Sequence, residues 1–110
     1  MRRIWIAHKK NHDTYGKALK YGDEIKVYAE GSVNVFRLQE LIKRLTERFN
    51  KESHFTDRLV VGGYPIVNAI LIHLYLTTYG EVTLLFWNAK RQDYTEHTIT
   101  DEEFYLENNK

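Results

Sequence analysis

A chain of 110 residues is the size of one domain, and the absence of cysteine excludes disulfides, thiolate zinc sites and cysteine nucleophiles. Its 43% hydrophobic content is enough for a core, and a net charge of +1 with interspersed signs gives no field of the kind that marks a duplex-DNA binder. We read residues 1–110 as a single domain in a reducing, cytoplasmic setting. "MRRIWIAHKK" has no signal-peptide apolar run, and the stretch Ile66 to Leu76, interrupted by Asn68 and His73, falls short of the ~20 residues of a membrane helix.

The first element is "IWIA", residues 4–7, a continuous apolar run that predicts a strand covered on both faces. In "NHDTYGKALKYGD", Tyr15, Ala18 and Leu19 sit at helical spacing with Gly22 as a stop, which predicts a short helix. "EIKVYAE" alternates Ile25, Val27 and Ala29 against Lys26, Tyr28 and Glu30, a second strand with the latter face wetter and a sheet edge nearby. After the turn "GSVN", Leu38, Leu41, Ile42, Leu45 and Phe49 mark one face of an amphipathic helix, with Ser32 or Asn34 as its cap. "RLVV" is a third strand, Ile66 to Tyr79 a helix stopped by Gly80, and "VTLLFW" a fourth strand. "NAKRQD" turns the chain, and "YTEHTI" returns antiparallel as a polar edge strand. Thr100 is a cap for a short helix in "TDEEFYLENNK", with three acids in its first turn.

Strands alternating with helices predict a small Rossmann-like three-layer α/β/α domain. Its mostly parallel sheet has the order 2-1-3-4-5, and the C-terminal edge strand is antiparallel. In such sheets ligands bind beyond the carboxyl ends of the strands, where the strand order reverses. That crevice lies between the ends of strands one and three, so "AHKK" with His8, Lys9 and Lys10 meets "GGYP" with Gly62, Gly63 and Tyr64. Glycines let peptide N–H groups approach an anion closely, and Pro65 suits the first position of a helix whose positive dipole end points into the crevice. Asn68, one turn into that helix, offers an amide to a base or ribose. A plain tight strand-to-helix turn accounts for Gly-Gly-Tyr-Pro as well. The pattern is neither a dinucleotide fingerprint nor a Walker loop.

None of the five histidines belongs to a metal signature, and no metal or cofactor is expected. His73 reads as a core or interface residue, His54 and His97 as surface residues. The two serines, Ser32 and Ser53, lie outside any nucleophile-elbow context. Tyr64 is placed to stack on a base, and Trp87, Asn88, Lys90 and Arg91 bring an aromatic and cations together on the hairpin, a mix that also suits ordinary turn residues. The helix after Pro65 is apolar around most of its circumference, so a homodimer through residues 66–79 is the simplest way to cover it.

On "AHKK" at 7–10 and "LVVGGYPIVNA" at 59–69, the chain resembles the CRISPR-associated Rossmann-fold domains and the small ring nucleases related to them. That resemblance implies a homodimer whose crevices bind a cyclic oligoadenylate and, in the nucleases, cleave it without metal through a ribose 2′-hydroxyl. On it, His8 is the acid or base and Lys9 the second catalytic candidate. Lys10, Gly62, Gly63, Tyr64 and Asn68 would bind the ligand. Whether the chain cleaves or only binds stays open. The alternative is a non-catalytic nucleic-acid or protein-interaction module, as in an accessory or viral protein.

Overall fold

The computed structural model describes residues 2–10, 14–34 and 36–103. Among the described residues five strands, a 3-10 helix and two α-helices follow in the order β1 (Arg3–Lys9), 3-10 helix (Thr14–Tyr21), β2 (Glu24–Glu30), α1 (Leu38–Glu52), β3 (Arg58–Val60), α2 (Pro65–Tyr79), β4 (Glu81–Asn88) and β5 (Asp93–Thr100). They form one sheet in the order β2-β1-β3-β4-β5, parallel through the first four and antiparallel at the β5 edge. The expected α/β domain, mostly parallel with an antiparallel C-terminal edge strand, is present.

The chain leaves β1 in one direction to reach β2, then crosses back over β1 to β3 and on to β4. Right-handed crossovers then require the first connection on one face and the next two on the other. The core divides accordingly. Trp5, Ala7, Tyr28, Leu59, Val82 and Leu84 pack against Leu41, Leu45 and Phe49 of α1 and Val67, Leu71 and Tyr75 of α2. Ile4, Ile6, Val60, Leu85 and Tyr94 pack with Ala18 of the 3-10 helix on the opposite face. Ile4 to His8 are all buried, as the continuous apolar run predicts for a strand covered twice.

The α2 boundaries follow from their residues. Pro65 occupies the first turn, where its missing N–H costs no hydrogen bond, and Gly80 caps the end at φ +77°. Thr100 and Glu103 form a reciprocal capping box: the Glu103 N–H donates to the Thr100 hydroxyl (3.3 Å) and the Thr100 N–H to the Glu103 carboxylate (3.1 Å). The rest of the expected C-terminal helix lies outside the described residues, as does His12.

Three expectations are corrected. On β2 the row read as wetter holds Tyr28, which is buried and stacked on Trp5 with ring centroids 4.0 Å apart. Two α-helices cover that face, whereas Ile25 and Val27 pack against the smaller cluster on the opposite face and stay half-buried. Neither Ser32 nor Asn34 caps α1. Arg37 holds the N-cap position without a side-chain cap, and the Asn34 side chain accepts the Phe36 N–H (3.0 Å) one turn earlier. Of the two places read for His73, core or interface, the core is ruled out, since the residue is exposed on α2. Among the described residues no helix is long and apolar enough to cross a membrane.

Candidate functional site

The carboxyl edge of the sheet collects the residues of interest because four parallel strands end there and β5 begins there. A cavity of about 350 Å³ opens between the ends of β1, β3 and β4 and the start of the 3-10 helix, lined by Ile6, Val60, Tyr15, Trp87, Tyr94, Lys10 and the Gly62-Gly63 turn. Trp87 and Tyr94 are paired across the β4–β5 ladder, and their rings meet edge to face at 5.2 Å. The Lys17 ammonium lies 5.6 Å from the Trp87 ring centre and donates to the Gln92 carbonyl (2.9 Å). The Lys10 N–H donates to the Tyr15 hydroxyl (2.9 Å), which ties the end of β1 to the 3-10 helix. Burial pushes the Tyr94 phenol up from its ordinary pKa, so it stays neutral.

The glycine pair divides its work. Gly63 has φ +75°, and a Cβ there would stand 2.1 Å from the His8 Nδ1. Gly62 has nothing within 4 Å of a Cβ. His8 is buried; its Nε2 lies 2.6 Å from the Gly31 carbonyl. A carbonyl only accepts, so Nε2 carries the proton and donates. The Nδ1 is buried without a hydrogen-bond partner, closed off by Gly63. His8 thus joins three loop ends, those of β1, β2 and β3. The Tyr64 ring lies 4.9 Å from the imidazole and is 40% exposed, open to a further ring.

Asn68 is engaged within the same turn. Its side-chain oxygen accepts the Gly62 N–H (3.0 Å), and its Nδ2 donates to the carbonyls of Gly62 (2.7 Å) and Tyr64 (2.8 Å). The Gly62 amide envisaged for an anion is therefore satisfied by the chain itself. Lys9 lies outside the aromatic cavity. It borders a second depression of about 520 Å³ with His8, Lys10, Glu30 and Gly31. The structure therefore gathers His8, Lys10, Gly62 and Gly63 around one cavity, with Tyr64 against His8, and leaves Lys9, at the end of the same strand, in the adjoining depression toward β2.

Sequence reasoning missed Tyr15 and Tyr94 as cavity walls. The signal for Tyr94 was its register opposite Trp87 across the hairpin. A larger depression, about 700 Å³, lies at the amino edge among Arg2, Arg3, Lys20, Tyr21, Asp23, His54 and Thr56. There Arg3 pairs with Glu24 and Lys20 with Asp93, so much of its charge is neutralised internally. Nearby, buried Asp57 accepts the Tyr75 hydroxyl (2.9 Å) and the His54 N–H (2.9 Å), while the Tyr28 hydroxyl lies 2.8 Å from that of Tyr75. Desolvation raises the pKa of Asp57, of Tyr28 and of Tyr75. Among the described residues no group of three or more His, Asp or Glu is placed to hold a metal ion.

The fold and crevice define a small α/β domain with an aromatic, lysine-bordered cavity at the carboxyl edge of its sheet. Residues 3–101 match the family model of phage Pam3 gp32-like proteins, and the chain belongs to that family. No curated protein and no solved structure matches it. The family match overturns the resemblance to CRISPR-associated Rossmann-fold domains and ring nucleases, and leaves CRISPR, antiviral defence and cyclic oligoadenylate without support. The two short motifs misled for a physical reason: Gly63 is required by its backbone and by His8, and Asn68 closes the turn that Gly62 opens.

Proposed function

We propose that the chain is a non-catalytic binding module of a phage protein, acting in the cytoplasm of the host, with a Rossmann-like crevice that takes a nucleotide group. The observation that carries this reading is the cavity of about 350 Å³, within the ~300–1,000 Å³ typical of ligand pockets. Its walls are aromatic and aliphatic, and Lys10 borders it. A planar base suits Trp87, Tyr94 and Tyr15, and a phosphate suits the Lys10 ammonium. Binding without catalysis is favoured because the His8 Nε2 is committed to Gly31 and its Nδ1 is shut off from solvent.

The test is a fluorescence titration with AMP. Trp5 is fully buried against Tyr28, so a ligand-induced change reports Trp87. Saturable quenching is expected, weakened roughly five- to tenfold by Lys10→Ala, on the order of 1 kcal/mol. No saturable change up to about 1 mM, a binding energy of only ~4 kcal/mol, overturns the reading.

Self-association through α2 belongs to the same proposal. Ile66, Ile70, Ile72, Leu74 and Leu76 are only half-buried by packing within the chain, beside exposed Ala69. A second copy laid on this face would complete their burial.

A further inference from the structure

We infer that the ligand is a single-stranded oligonucleotide that crosses the end of β1 with at least two nucleotides bound, rather than a free mononucleotide. The inference rests on the nucleotide reading of the aromatic cavity. The two depressions at the carboxyl edge share His8 and Lys10, which form a sill between them. One side holds Trp87, Tyr15 and Tyr94; the other holds Lys9, Glu30 and Gly31. The run from β4 across β3 and β1 to β2 covers three strand spacings, roughly 14 Å at ~4.8 Å each. A run of this length holds a base at one end and a second nucleoside at the other, with the linking phosphate between them.

The chemistry alternates along the run. An apolar aromatic slot comes first, then the Lys10 cation at the sill, then a depression containing both Lys9 and the Glu30 carboxylate. Lys9 and Glu30 are register partners on neighbouring strands, and both are exposed. A carboxylate repels phosphate and accepts hydrogen bonds from an exocyclic amine or a hydroxyl. The second depression is therefore suited to a sugar or base, and the sill between them to a bridging phosphate. Tyr64, packed on His8 and 40% exposed, adds a stacking surface beside the sill. Base, phosphate and second nucleoside in sequence are the repeat of a nucleic-acid strand. A duplex keeps its bases paired and stacked and cannot insert one into the aromatic slot without unstacking it.

Calorimetric titration with AMP, with the dinucleotide ApA and with a hexa-adenylate strand tests this. ApA is expected to bind at least tenfold more tightly than AMP. The doubly substituted Lys9→Ala, Glu30→Gln protein is expected to lose that gain while binding AMP within twofold of the parent. Both side chains are exposed, and circular dichroism of the variant verifies the fold. Equal affinities for AMP and ApA overturn the strand inference and leave the nucleotide reading standing. So does an ApA gain that persists in the double variant. Failure of all three probes overturns both.

Discussion

Gly63 combines a φ of +75° with an imidazole nitrogen 2.1 Å from where a Cβ would stand. Gly63→Ala is expected to cost about 1–2 kcal/mol for the left-handed backbone and a further ~1–3 kcal/mol for the overlap with His8. Gly62→Ala, with open space around its Cβ, is expected to be near neutral. Urea denaturation of the two variants compares them directly. The sequence displays both glycines alike, because what separates them is the approach of a side chain 55 positions earlier. Asp57 was equally hidden. It stands before an apolar strand with no local signal to single it out, yet it is buried against Tyr75, with Arg3 and His54 as the charged or titratable groups nearest in influence. Burial raises its folded pKa above the unfolded Asp value of about 3.9. Its contribution to stability is therefore complete below that unfolded value and is lost as pH rises through the folded pKa. Asp57→Asn is expected to flatten this dependence, so the parent's stability relative to the variant falls from acid toward neutral pH in chemical denaturation. A relative stability that rises over that range contradicts the assignment.

Among the elements, α2 is tied at its start to the end of β3 by one side chain. The Asn68 carboxamide makes three hydrogen bonds across the β3–α2 turn, to Gly62 twice and Tyr64 once. Asn68→Ala is expected to destabilise by about 1–3 kcal/mol, since it leaves polar backbone groups to find other partners. It is also expected to raise amide exchange at Gly62 above that of β3, which hydrogen-exchange mass spectrometry resolves. Element positions were legible because local signals agreed: apolar runs for β1, β3 and β4, Pro65 and Gly80 bounding α2, and Thr100 as a cap followed by three acids. The covered face of β2 was not legible. Tyr28 looked wet beside Lys26 and Glu30, and the hydroxyl that makes its burial acceptable belongs to Tyr75, 47 residues away. Likewise Trp87 appeared as a hairpin aromatic, and its cavity exists only once β5 brings Tyr94 against it and the 3-10 helix brings Tyr15.

At the scale of the whole molecule, the sheet reverses its direction of growth between β1 and β3, and the crevice follows from that reversal. The apolar surface of α2 was read as self-associating; packing against the sheet and α1 covers part of it and leaves the rest half-buried. Light scattering is expected to give a dimer that Ile70→Glu converts to a monomer, and a parent that is already monomeric at working concentration removes the dimer. On the proposed reading a nucleotide sits at the carboxyl edge of the sheet, between the ends of β1, β3 and β4. Amide chemical-shift mapping during titration with AMP addresses it most directly. The expected result is a set of saturable shifts confined to Lys10, Val61 to Gly63, Trp87 and Tyr94. Shifts clustered instead at Arg2, Arg3, Lys20 and His54 on the opposite edge, or no saturable shifts, would contradict it.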